Sequence, residues 1–133
     1  MLHKLYLTRR AGFEAAHNLL GYVGDCRNLH GHSYKVEVTI SGYIDTEKDH
    51  KKAENCMLLD FKKLDEAIRR TIGVYDHNYL NDFFTNPTAE LMAIKIFNDL
   101  SKKLSPIKVE CVKLWETENS YAEYHGEVKG HNE

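Results

Sequence analysis

The chain is predicted to take an α+β fold, a four-stranded antiparallel sheet with two helices on one face, in the order ββααββ. Three observations predict it: a long period-two run in the first third, two capped amphipathic stretches in the middle, and two strand-like runs at the end. Residues Leu5 to Ala16 are rich in apolar and β-compatible types without a helical stripe, and they run into His17 as a first strand. From His30 to Ile44 the even positions are His30, His32, Tyr34, Val36, Val38, Ile40 and Ile44, whereas Ser33, Lys35, Glu37, Thr39 and Ser41 fall on odd ones. That alternation is a second strand with both histidines on its apolar face.

The charged run from Asp45 to Asn55 is expected to be a solvated loop. Asp60 then reads as the cap of a helix with Phe61, Leu64, Ile68 and Ile72 as its stripe, stopped by Gly73 in a left-handed conformation. Asn86 and Pro87 read as the cap and first position of a second helix, with Leu91, Ile94, Phe97 and Leu104 as its stripe. Ile107 to Trp115 and Tyr121 to Val128 are expected to be the closing strands. So small a sheet has edges that need pairing, which predicts lateral association of protomers.

At 133 residues, with no Pro-, Gly- or Ser-rich divider, residues 1–133 are expected to form one domain. With 42% hydrophobic and 29% charged residues the chain has enough apolar surface for a core. A net charge of -2 argues against a nucleic-acid partner, which would call for a basic face. Met1 to Tyr6 contain no apolar leader and no apolar run approaches a membrane span, so a cytoplasmic protein with no membrane partner is expected. Three cysteines, Cys26, Cys56 and Cys111, fit no disulfide framework and are read as reduced thiols.

His30-Gly31-His32 places two imidazoles on one strand face, with α-carbons about 6.6 Å apart. If the first two strands pair antiparallel, His17 joins them across the 12-residue connection from Asn18 to Leu29. Three imidazoles suit Zn²⁺ and leave a fourth position open, as in catalytic zinc sites. Two alternatives stand beside this: hydrogen-bonded core histidines, and a closed structural site with Cys26 as fourth ligand. Spacing does not decide between them. Asp76-His77, in a loop between the helices, is a candidate acid-base pair, since a neighbouring carboxylate orients the ring and stabilises its charged form. Glu116, at a strand end, is a further candidate.

Phe13-Glu14-Ala15-Ala16-His17, Cys26-Arg27-Asn28-Leu29-His30-Gly31-His32-Ser33, Leu59-Asp60-Phe61, Asp76-His77-Asn78-Tyr79-Leu80-Asn81, Asn86-Pro87-Thr88-Ala89-Glu90 and Trp115-Glu116-Thr117 run in order over nearly the whole chain. This series resembles the 6-pyruvoyl-tetrahydropterin and 6-carboxytetrahydropterin synthase family. The resemblance implies the tunnelling fold, with trimers closing a β-barrel and two trimers stacking as a homohexamer. It implies zinc held by His17, His30 and His32, Cys26 as catalytic base and Asp76 with His77 as proton relay. It also implies a pterin anchored by Glu116 in a pocket that Thr88 lines. Three residues separate Cys26 from His30. That is the spacing of the 6-carboxytetrahydropterin synthases of queuosine biosynthesis, and the pyruvoyl synthases have a longer gap. The implied reaction converts 7,8-dihydroneopterin triphosphate to 6-carboxy-5,6,7,8-tetrahydropterin, acetaldehyde and triphosphate. The alternatives are a pyruvoyl synthase and a non-catalytic Cys-His₃ zinc module.

Overall fold

The first two strands form one long antiparallel ribbon, because their apolar positions fall on the same face when paired. Strand β1 (Leu2–His17) pairs with β2 (His30–Asp45) from Leu2↔Asp45 to His17↔His30, in a computed structural model that describes residues 1–24 and 27–129. Ala11, Phe13 and Ala15 stand opposite Val36, Tyr34 and His32, so a one-residue slip would turn this whole set to solvent. Helices α1 (Phe61–Ile72) and α2 (Ala89–Leu104) cover that face. Val36, Val38, Ile40, Leu64, Ile68 and Ile96 are fully buried between the layers.

Between the helices lies β3 (Asn78–Tyr79), and after them come β4 (Lys108–Thr117) and β5 (Ser120–Tyr124). The sheet is therefore five-stranded and mixed, in the order β3-β1-β2-β4-β5, and not four-stranded and antiparallel as the sequence suggests. The added strand runs parallel to β1, pairing Asn78 with Ala15 and Tyr79 with Ala16. Two residues carry no readable period. The segment is held instead by its preceding loop: His77 N–H donates to the Glu14 carbonyl at 2.6 Å, and the Asp76 carboxylate accepts from Glu14 N–H at 2.9 Å.

Both helices form where expected, with differences at their ends. Asp60 caps α1, accepting from Lys62 N–H at 2.9 Å. Gly73 ends it in a right-handed conformation, φ -60, and not the left-handed one expected. A Cβ there would stand 2.7 Å from the Arg69 carbonyl oxygen, so close backbone approach accounts for the glycine. The cap of α2 is Thr88, two residues later than the predicted Asn86, and its hydroxyl accepts from Leu91 N–H at 3.2 Å. The buried face is Met92, Ala93, Ile96, Phe97, Leu100 and Leu104, which keeps the expected Phe97 and Leu104 but leaves Leu91 exposed and Ile94 half-buried. Phe61 is likewise exposed, and Thr71 takes a place in the buried face of α1. The charged stretch after β2 contains a short 3₁₀ turn, Ala53–Cys56. No described helix is long and apolar enough to cross a membrane.

Candidate active site

The sheet's apolar face runs past the helices at one end, and there the alternation that buries Tyr34 and Val36 presents His32 and His30 instead. His17, the last residue of β1, is the cross-strand partner of His30. Glu116 follows Val112 and Leu114 on the same side of β4. One ligand atom from each of His17, His30, His32 and Glu116 lies within 4.8 Å of all the others.

The protons on these rings are placed by their neighbours. His17 Nδ1 is 3.1 Å from the Pro87 carbonyl oxygen and 2.9 Å from the Tyr34 hydroxyl, and His30 Nδ1 is 2.6 Å from the Asn28 carbonyl oxygen. A carbonyl only accepts, so both Nδ1 atoms carry the proton and both Nε2 atoms present lone pairs. Those two Nε2 atoms face each other at 3.1 Å. Two lone pairs at that distance repel unless a cation lies between them or beside them. His32 Nε2 is buried and makes no hydrogen bond of acceptable geometry, although Glu116 Oε1 stands 2.9 Å away; the same carboxylate oxygen is 3.5 Å from His17 Nε2. An orphaned buried nitrogen, two opposed lone pairs and an adjacent carboxylate fit a metal ion such as zinc. Orienting carbonyls on the far ring nitrogens are the usual support for metal-binding histidines.

Burial is the main reason His17 and His32 have lowered pKa values; Glu116 opposes the shift, and neighbouring imidazoles add to it. Both effects of burial and crowding favour neutral rings, the form that binds metal. Tyr34, whose ring stacks on Phe13 at 4.8 Å, has its hydroxyl pKa pushed up by burial and by Glu116, so it stays a neutral hydrogen-bonding group.

Beside the cluster is a cavity of about 640 Å³ whose lining includes Glu14, Leu29, His32, His77 and Tyr79. It brings His77 into one space with His32. His77 Nδ1 is 3.1 Å from Asp76 Oδ2, and the Asp76 carboxyl is held below its usual range first by the Glu14 N–H and then by His77. His77 itself adopts φ 58, a left-handed conformation costly for a residue with a Cβ, which turns its ring out over the cavity from an anchored backbone. Thr88 caps α2 and is not among the residues lining this cavity, while its neighbour Pro87 supplies the carbonyl that orients His17. Cys26 lies outside the described residues. Sequence reading missed the orienting groups, Tyr34 and the carbonyls of Pro87 and Asn28; only Tyr34, two positions beyond His32 on the same face, left a signal. It also missed the approach of Glu116 to the histidines.

Three imidazoles and a carboxylate at the open end of an α+β sheet, next to a cavity with an anchored Asp-His pair, define a candidate metalloenzyme centre. The chain belongs to the 6-pyruvoyl tetrahydropterin synthase family, whose pattern matches residues 6–127. It is 33% identical over 141 residues to the 6-carboxy-5,6,7,8-tetrahydropterin synthase of Haemophilus influenzae, covering 89% of this chain and 96% of that one. It is 32% identical over 114 residues to the dihydroneopterin monophosphate aldolase of Pyrococcus furiosus, covering 85% and 90%. The solved structure of Caenorhabditis elegans 6-pyruvoyl tetrahydropterin synthase superposes with a TM-score of 0.77 at 26% identity, covering 94% and 97%. The α+β layer arrangement is thus that of the tunnelling fold.

Proposed function

We propose that this chain is a single catalytic domain, a zinc-dependent 6-carboxytetrahydropterin synthase. With the consumption of one water, it converts 7,8-dihydroneopterin triphosphate to 6-carboxy-5,6,7,8-tetrahydropterin, acetaldehyde and triphosphate, for queuosine biosynthesis in the cytoplasm, as a homohexamer of two trimers. The observation that carries the metal dependence is the pair of Nε2 lone pairs of His17 and His30 opposed at 3.1 Å, their tautomers fixed by carbonyl acceptors. Supporting the choice of product are the name of the H. influenzae relative and the three-residue spacing between Cys26 and His30.

His17, His30 and His32 hold the zinc, which when bound supplies Lewis acidity toward a side-chain hydroxyl of the substrate. Cys26 takes the proton from the adjacent carbon; its ordinary pKa of about 8.5 calls for a nearby cation to raise the thiolate fraction. His77, steadied by Asp76, returns a proton from the cavity side. Glu116 accepts two parallel hydrogen bonds from the pterin ring N–H and exocyclic amine, and Thr88 keeps its hydroxyl proton free for the same pocket.

A pyruvoyl synthase is the second reading, favoured by the fold match to the C. elegans enzyme. Incubation with 7,8-dihydroneopterin triphosphate, followed by mass spectrometry and an acetaldehyde trap, separates them. The proposal expects 6-carboxytetrahydropterin and acetaldehyde in equal amounts. An intact pyruvoyl side chain without acetaldehyde would establish the second reading, and no turnover of the triphosphate alongside cleavage of the monophosphate would point to aldolase chemistry.

A further inference from the structure

The face of the sheet away from the helices carries a second convergence of metal-binding side chains, centred on β4 where Cys111 pairs with Thr39 of β2, well along that strand from His32. In the β4–β5 ladder, Lys113 pairs with Glu123 and Val112 with Tyr124, the last residue of β5, which brings Cys111 near His125, the next residue along the chain. Cys111 and Lys113 alternate with the core residues Val112 and Leu114, which turns the thiol to the bare face. Glu123 and His125, two residues apart, share that face. A ligand atom from each of Cys111, Glu123 and His125 lies within 4.8 Å of the others.

We propose that Cys111, Glu123 and His125 form a second metal site, selective for a borderline divalent ion such as Zn²⁺ or Co²⁺, with one position left to solvent. A thiolate, an imidazole and a carboxylate are the donor set such ions prefer, whereas Mg²⁺ and Ca²⁺ require oxygen cages. Cys111 is only 7% exposed, stands apart from the main cluster under the helices, and is a free thiol. Glu123 is already steered: Lys113 Nζ is 3.5 Å from its Oε1, and its Oε2 is 2.6 Å from His125 Nε2. A proton shared by His125 and Glu123 thus occupies the side of the carboxylate that faces the ring. Binding replaces it: the cation takes the imidazole nitrogen and the carboxylate, the Cys111 thiol gives its proton to solvent, and both protons leave as the metal enters. Lys113 stays on the outer oxygen, where it weakens the site relative to one without a neighbouring cation. The burial and nearby Glu123 that push the thiol pKa up keep it protonated until the metal arrives.

Titration of chelated protein with Co²⁺ alone tests this in a Cys26→Ala background, which removes the other thiol near a candidate metal centre. The expected result is two cobalt ions per chain and a thiolate-to-cobalt charge-transfer absorption, which imidazole and carboxylate ligands cannot produce. That absorption should vanish in Cys111→Ser, with one cobalt kept, and His125→Ala, at an exposed position, should weaken the second site by about 10-fold or more. One cobalt per chain, a charge-transfer band indifferent to both substitutions, or saturation only at millimolar Co²⁺ would overturn the proposal. The ion retained in Cys111→Ser counts the histidine cluster: one ion kept supports a separate second site, and loss of both would overturn it.

Discussion

Tyr34→Phe is the sharpest perturbation of the histidine cluster, because it removes one oxygen and leaves the packing. The Tyr34 ring is 2% exposed and stacks on Phe13 at 4.8 Å with an interplanar angle of 8°, and phenylalanine keeps both features. What goes is the hydroxyl 2.9 Å from His17 Nδ1, on a histidine 1% exposed, where water cannot enter to replace it. The Pro87 carbonyl at 3.1 Å remains as acceptor, so the N–H is not orphaned. The loss is then one net hydrogen bond, about 0.5–1.5 kcal/mol. In a chain of 133 residues, with unfolding entropy of about 2.1 cal/mol/K per residue, that lowers the melting temperature of the metal-free protein by roughly 2–5 °C. The same energy, expressed in ring orientation, weakens zinc binding by about 2–10-fold, less than the full 10–100-fold of losing a sole orienting partner. Competition titration against a chromophoric chelator reads the affinity, and calorimetry reads the melting. Unchanged zinc affinity despite lower stability would show that Tyr34 is a core residue only and that Pro87 alone sets the His17 tautomer.

His30→Ala should abolish stoichiometric zinc, measured by elemental analysis, because it removes one of the two opposed lone pairs. Cys26→Ala should keep zinc and oligomer while lowering turnover by about 10²–10⁴-fold, and zinc loss in that variant would make Cys26 a structural ligand instead. The metal-free protein should lose stability as pH falls. His17 and His32 have folded pKa values lowered by burial, so the unfolded chain binds protons more readily. Stability is therefore full above the unfolded value of about 6.5 and declines as pH drops through it toward the folded values. Urea titrations across that range should show the decline, and a flat profile would contradict neutral buried rings.

The parts of the fold legible in the sequence were those with a period. The β2 alternation located both histidines on one face, and antiparallel pairing with β1 brought His17 to His30 as expected. Strand β3 was not legible, because a two-residue strand is specified by hydrogen bonds from Glu14 and not by a hydrophobic pattern. The cap of α2 was misplaced because Asn86, Pro87 and Thr88 all carry start signals, and only the hydrogen bond to Leu91 N–H separates them. Within the site, residue types with strong chemistry could be found from motifs, but backbone carbonyls cannot. Pro87 and Asn28 orient the rings through main-chain oxygens that any residue would supply. The Cys111, Glu123 and His125 grouping was hidden for a different reason, since it exists only once the register of β4 on β5 is known.

Zinc-dependent cleavage of a pterin triphosphate side chain is read out by product formation from 7,8-dihydroneopterin triphosphate in three states of one preparation: as purified, after chelation, and after zinc is restored. 6-Carboxytetrahydropterin and acetaldehyde are expected in the first and third states, little of either in the second, and no restoration in His30→Ala. Undiminished product after chelation, with elemental analysis confirming that the metal is gone, would contradict the zinc dependence.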